Sequence, residues 1–268
     1  MKWTMALCLA ILSLLVLDGP APAKVVGQTV EYRQNGTLLK GYLAYDDAVK
    51  GRRPGVLVVH EFWGLNDFAR QRADKLAEMG YTALAVDMYG EGKVTRDRAE
   101  ATKLAGHVRS TPLMRERAQA GLKVLRKHNL VDPQRLAAIG FCFGGTTVLE
   151  LAYSGADVKG VVSFHGGLTA PKPEDRKRLK AKILILHGAE DPHVKAEEIK
   201  AFQEAMRQAG ADWQMIYYGG AVHSFANPEA GRDKSSGVAY DPKAAARSWQ
   251  HMQLSLQEIF QNKMGLDG

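Results

Sequence analysis

The feature that most limits what this 268-residue chain can fold into is a series of short, almost wholly apolar runs. They read GVLVVHE at 55–61, YTALAVD at 81–87, LAAIG at 136–140, VKGVVSFHG at 158–166, KILILHG at 182–188 and WQMIYY at 213–218. Runs of this kind suit strands covered on both faces, as in a parallel sheet, because a half-exposed strand would alternate polar and apolar residues. Amphipathic segments separate them: Asn66 caps one that Gly80 ends, and others span 112–128, 147–153, 195–208 and 242–260. Regular alternation of strand and helix predicts an α/β fold with a mostly parallel central sheet and helices on both faces. Ahead of it, TVEYRQNGTLLKGYLAYD holds two alternating stretches joined by Asn35-Gly36, a dipeptide suited to tight turns, which predicts an opening antiparallel hairpin. The segments 90–106 and 221–240 read as long connections, the places where such a fold carries its site.

The first residues have a different logic. Lys2, the apolar run Trp3–Leu17 and the small-residue pattern Ala21-Pro22-Ala23 predict a secretory signal peptide cleaved after Ala23, with an uncleaved anchor as the alternative. The apolar run is shorter than the roughly 20 residues of a spanning helix. Residues 24–268 then read as one domain of a protein bound for the periplasm or the medium, with no membrane attachment once the signal is removed. Of the two cysteines, Cys8 falls in the signal segment, so the mature chain keeps only Cys142 and forms no internal disulfide. A lone thiol in an exported protein is either buried and inert or kept for its chemistry. The net charge of +7 is diffuse. Its densest cluster, KPEDRKRLKAK at 172–182, is broken by Glu174 and Asp175 and reads as a solvated face, so no nucleic-acid partner is expected.

Cys142 sits in GFCFGG, 140–145, between the strand LAAIG and a helical stretch, with almost no room to turn. A turn this tight forces its central residue into a strained conformation and requires small neighbours; it is the nucleophile elbow G-x-S-x-G with cysteine in the serine position. The elbow holds the sulfur at the C-terminal edge of the sheet, near a helix N-terminus whose dipole favours a thiolate. A thiol also needs a base, and Asp191 in HGAEDPHV and His223 in GGAVHSFANP follow in the order nucleophile, acid, histidine, each just past a strand. Glu190 is the alternative acid. The Phe143 N–H, directly after the nucleophile, and the Phe62 N–H in HEFWG, 60–64, are the candidate oxyanion donors. HEFWG lacks the second histidine of H-E-x-x-H, because Gly64 occupies that position, and a metalloprotease reading fails. Histidines 60, 107, 128, 165, 187, 193 and 251 share no metal-ligand spacing and read as structural or surface residues. No metal and no cofactor is expected.

Glu61 in HEFWG, GFCFGG, AEDPHV, HSFANP and DMYGEGK from Asp87 together resemble the dienelactone hydrolase family of α/β hydrolases, from about Thr29 to the final helix. The resemblance implies an α/β-hydrolase fold and an enzyme that hydrolyses small-molecule esters, lactones or thioesters through Cys142, Asp191 and His223; a monomer is expected. It also implies that Glu61 sits beside the thiol and takes part in its activation; otherwise Glu61 would cap the helix that follows. Trp63, Tyr89 and Ser224 are expected to bind substrate or serve the thiol. Family members hold a substrate carboxylate with two arginines, whose positions here carry Glu91 and Asn227. That departure implies a preference for neutral substrates and a Glu61 less tightly held, unless Arg96 or Arg98 substitutes. An acyltransferase using the same thioester, or a binding protein that has lost turnover, are the competing functions. A thioredoxin-like redox role lacks the second cysteine of C-x-x-C.

Overall fold

The computed structural model describes residues 24–261; the segment read as a signal peptide, 1–23, lies outside the described residues. Strands β1 (Val25–Gln34) and β2 (Thr37–Asp46) form the expected hairpin, with Asn35 at φ 46° and Gly36 at φ 82° in the turn. From there strand and helix alternate: β3 (Arg53–Val59), α1 (Asp67–Glu78), β4 (Thr82–Val86), α2 (Arg98–Arg109), α3 (Leu113–Lys127), β5 (Val131–Phe141) and α4 (Phe143–Tyr153). The second half adds β6 (Gly160–Phe164), the single turn α5 (Pro173–Arg176), β7 (Lys182–Gly188), α6 (Ala196–Ala209), β8 (Trp213–Tyr218) and α7 (Pro242–Gln261).

All eight strands join one sheet in the order β1-β2-β4-β3-β5-β6-β7-β8, antiparallel through β1, β2 and β4 and parallel from β4 to β8. Successive residues of the central strands point to opposite faces, and both faces are buried. Leu57, Val59, Ala138, Ile183 and Ile185 pack on one side with Ala118 and Leu122 of α3, Leu149 of α4 and Phe202 of α6. Val56, Val58, Ile139, Leu184 and Leu186 pack on the other with Leu76 of α1 and Met252 and Leu256 of α7. Strands covered twice have no polar face to display, which is why their sequence reads as continuous apolar runs.

Two expectations change. The stretch 90–106, read as a long connection, ends in α2: Asp97 accepts the Glu100 N–H at 2.7 Å as its N-cap, and Ala101, Ala105 and Val108 form its buried face. Small alanines make a weak periodic signal, so the helix was hard to read. The helix after Cys142 begins at Phe143, with no intervening loop, and not at Thr147. Among the described residues no helix is long and apolar enough to cross a membrane.

Strand β5 meets α4 at very short range. A Cβ on Gly144 would lie 2.2 Å from the Val59 carbonyl oxygen, and one on Gly140 would lie 2.1 Å from the Gly144 carbonyl oxygen. Gly144→Ala is therefore expected to destabilise the protein by about 1–3 kcal/mol or more, as overpacking against backbone does. Gly106→Ala, whose Cβ meets nothing within 4 Å in α2, is expected to be neutral or stabilising by about 0.5–1 kcal/mol. Chemical denaturation of both variants checks the contrast, and an unaltered midpoint for Gly144→Ala would contradict it.

Candidate active site

The C-terminal ends of the parallel strands deliver five side chains to one edge of the sheet. Glu61 follows β3, Cys142 follows β5, His165 follows β6, Asp191 follows β7 and His223 follows β8. Cys142 has φ 53° and ψ −113°, a conformation a non-glycine residue adopts only at a cost of order 1–3 kcal/mol. That backbone turns the sulfur out of the sheet, and the Cys142 carbonyl already accepts the Thr146 N–H of the following helix at 3.3 Å.

His223 Nε2 lies 3.1 Å from Cys142 Sγ, and His223 Nδ1 lies 2.8 Å from Asp191 Oδ2. The other oxygen of Asp191 accepts the His193 N–H at 2.9 Å. The loop carrying His223 is held at both of its backbone polar groups: its N–H donates to Gly237 and its carbonyl accepts from Ala239, each at 3.0 Å. Burial disfavours a charged imidazole, but the facing Cys142 sulfur and the Asp191 carboxylate outweigh it and raise the His223 pKa. Burial also acts to raise the Asp191 pKa, and there the His223 contact and the His193 N–H prevail and hold it below the ordinary carboxylate value.

Phe143 N–H heads α4 and Phe62 N–H lies in the turn after β3; neither donates to another group among the described residues. Phe143 is fully buried, its ring stacked on His60 at 5.9 Å. Phe62 and Trp63 pack together at 4.2 Å on the wall of an open groove of ≈ 2080 Å³ that reaches Cys142 and His223. Its size, above the several hundred Å³ of an enclosed ligand pocket, leaves room for a range of acyl and leaving groups. Tyr89 was expected to touch substrate and does not line this groove; it is 6% exposed and its hydroxyl donates to the Phe62 carbonyl at 2.8 Å, bracing the turn from behind.

Glu61 departs from expectation. Its carboxylate is 2% exposed and accepts from Ser224 Oγ at 3.2 Å and from Asn227 Nδ2 at 2.6 Å, and not from Cys142. Far from being loosely held, it ties the β3 turn to the loop of His223. Burial raises its pKa, opposed by the donors Asn227 and Ser224 and by His223 nearby. Nor does it cap α1, whose first N–H groups are served by Asn66. Glu91 also departs: it is exposed, pairs with Lys93 at 4.0 Å, and borders a separate hollow beside Lys40, so its charge does not reach Cys142. Cations do reach the groove along one face of α2, where Arg98, Thr102, Ala105 and Arg109 recur at helical spacing, with the Arg109 guanidinium 5.4 Å from the Phe143 ring centroid. His165 and His193, read as structural or surface positions, both lie edge-on to His223, at 5.3 and 5.1 Å. Among the described residues no group of three or more His, Cys, Asp or Glu side chains is arranged to hold a metal ion.

Comparison with known proteins agrees with this architecture. The model of the dienelactone hydrolase family matches residues 39–260. The chain belongs to the dienelactone hydrolase family. Protein usf of Aquifex pyrophilus is 30% identical over 84% of this chain and 95% of its own length. A protein of Aquifex aeolicus named provisionally as a carboxymethylenebutenolidase is 28% identical over 84% of this chain and 95% of that one. Among solved structures, a dienelactone hydrolase-like promiscuous phosphotriesterase from metagenomic libraries superposes with a TM-score of 0.85 at 42% identity, covering 88% of this chain and 99% of that one. This dienelactone hydrolase-family protein is accordingly a hydrolase on the α/β-hydrolase fold, acting on small molecules.

The Asp191 shift sets a sign for acid stability. Its folded pKa lies below the unfolded value of about 3.8, so the stabilisation it brings is present above that value and is lost as pH falls through the folded one. The thermal midpoint of the wild type should exceed that of Asp191→Asn near neutral pH, and the gap should close below about pH 4. A gap independent of pH would contradict the assignment.

Proposed function

We propose that this hydrolase cleaves esters, lactones or thioesters through a Cys142-His223-Asp191 triad and is exported. The observation that carries the reading is the continuous contact from Sγ through imidazole to carboxylate, 3.1 and then 2.8 Å. His223 takes the thiol proton and the thiolate attacks the carbonyl carbon, forming a C–S bond while the carbonyl π pair moves onto oxygen. The Phe62 and Phe143 N–H groups hold that oxyanion. Its collapse breaks the bond to the leaving oxygen or sulfur, which receives the proton from His223; in a lactone the leaving group stays attached to the acyl chain. His223 then takes a proton from water, the hydroxide attacks the thioester, and the thiolate departs to release a carboxylic acid. Asp191 fixes the tautomer that presents Nε2 to the sulfur and steadies the imidazolium. Amides are poorer substrates, because a thiolate leaves an adduct more readily than an amine does. Export rests on residues 1–23, and N-terminal sequencing of protein recovered outside the cytoplasm should begin at Lys24.

Neutral substrates are favoured in this reading, now on Asn227 alone: its amide is occupied by Glu61 and offers no guanidinium to a carboxylate. The groove should therefore accept a dienelactone methyl ester with higher kcat/KM than the free acid. The 42% identity to a phosphotriesterase adds an aryl phosphotriester to the panel, since a thiolate at an oxyanion-binding elbow can also attack phosphorus. Steady-state kinetics on lactones, aryl esters, thioesters and the phosphotriester test the whole. Cys142→Ala should abolish turnover and Cys142→Ser should leave a folded, poor enzyme. His223→Ala should lower kcat by several orders of magnitude and Asp191→Asn by less. Full activity in Cys142→Ala would overturn the mechanism, damage from Glu190→Gln but not from Asp191→Asn would reassign the acid, and a clear preference for the free acid would move anion recognition to Arg98 and Arg109.

A further inference from the structure

Beside the nucleophile stands a buried histidine that the mechanism does not use. β5 and β6 pair in register up to Phe141 and Phe164, so the next residues, Cys142 and His165, leave the sheet side by side. Both are non-glycine residues at positive φ, 53° and 40°. The Cys142 N–H is shared between the Phe164 carbonyl, at 3.0 Å, and His165 Nδ1, at 3.2 Å. The His165 N–H in turn donates to the Leu186 carbonyl of β7 at 2.9 Å, which anchors the residue to the next strand. Its ring is fully buried and meets Phe225 edge-on at 5.1 Å and His223 at 5.3 Å.

We infer that His165 is a positioning residue for the thiol, holding the Cys142 backbone through its Nδ1 acceptor so that Sγ meets His223 Nε2. The inference rests on the reading of Cys142 as nucleophile. It follows from what a strained elbow requires: a conformation that is unfavourable alone persists only where its surroundings determine it from several sides. The glycines let strand and helix approach, but they supply no hydrogen bond to Cys142 itself; His165 does. A neutral imidazole serves the purpose and a charged one would not. Accepting at Nδ1 places the single proton on Nε2, and protonation would remove the acceptor and set a second cation against His223. Burial in this site disfavours that protonation and keeps the ring neutral. A histidine kept only as apolar filler has no reason to aim Nδ1 at the nucleophile's N–H and to leave Nε2 without a partner among the described residues.

Two substitutions separate the acceptor from the ring. His165→Asn keeps an acceptor at the same distance along the side chain and tolerates positive φ, but loses the aromatic edge. His165→Phe keeps the edge and loses the acceptor. Each is read by kcat and KM on the best substrate of the panel, by the rate at which iodoacetamide alkylates Cys142 in the folded protein, and by thermal midpoint, with Cys142→Ala as the unlabelled control. His165→Phe is expected to lower kcat about 10–100-fold with KM little changed, and to slow alkylation, as a small misplacement of a reacting group does. His165→Asn is expected to recover most of both rates even where its midpoint is the lower of the two. Wild-type kcat and alkylation in His165→Phe would overturn the inference, and so would losses in His165→Asn as large as those in His165→Phe. Should His165→Phe not fold, His165→Asn decides alone, by whether it keeps its rates. Alkylation reads the thiol directly, so turnover surviving in Cys142→Ala would refute the nucleophile reading without being mistaken for a failure of this one.

Discussion

Everything at this site depends on the close approach of β5, α4 and β3 around Cys142. The helix starts one residue after Cys142, and its second residue, Gly144, lies against the carbonyls of Val59 and His60. Any side chain there would push α4 away from the sheet and let the turn relax. Because it cannot relax, Cys142 is held at φ 53° with its sulfur turned toward His223 and its following N–H at the head of a helix. The strain is thus the cost of exposing one atom at a chosen place, and the apolar packing on both faces of the sheet supports it.

The rest of the site is a set of loops tied to that edge by buried polar contacts. Glu61 spans from the β3 turn to Ser224 and Asn227 on the two sides of Phe225, so the turn bearing the Phe62 N–H and the loop bearing His223 are braced by one carboxylate. Tyr89 fastens the same turn from β4 through the Phe62 carbonyl. His60 is bonded at both ring nitrogens, to the Glu61 carbonyl and the Met88 N–H, and burial lowers its pKa to about 4, so it stays neutral. Charge is managed in the same way. Of the histidines around His223, His165 and His187 are buried and His193 is exposed; all three are biased toward neutrality, while the pKa of His223 is raised by the groups it touches.

Much of this was legible in the chain. The apolar runs, the Asn35-Gly36 turn and the cap at Asn66 report local requirements, and local requirements survive in one dimension. GFCFGG was legible because only small residues permit so tight a turn, and Asp191 and His223 because each follows a strand whose end is easy to find. What escaped depended on facing surfaces. Helix α2 fully buries little beyond Ala101, Ala105 and Val108, so its pattern was faint, and the placement of Arg98 and Arg109 along the groove went with it. Tyr89 looked like a pocket aromatic, yet β4 ends where its ring lies behind Phe62 and Phe143.

The sequence by itself determined the strand and helix alternation and the elbow, since each is specified by residues within a few positions of one another, and it set Asp191 and His223 each just past a strand. Only the tertiary structure decided what Glu61 touches, that Glu91 turns away, and that His165 stands against the Cys142 backbone. Those contacts join residues from different strand ends. Glu61 and Asn227 are 166 positions apart in the chain and 2.6 Å apart at the site. Cys142 and His165 are 23 positions apart, and they become neighbours only because β5 and β6 pair in the register that sets Phe141 beside Phe164. Register is fixed by how whole strands bury their side chains against both layers of helices, a cooperative property that no short stretch of sequence contains.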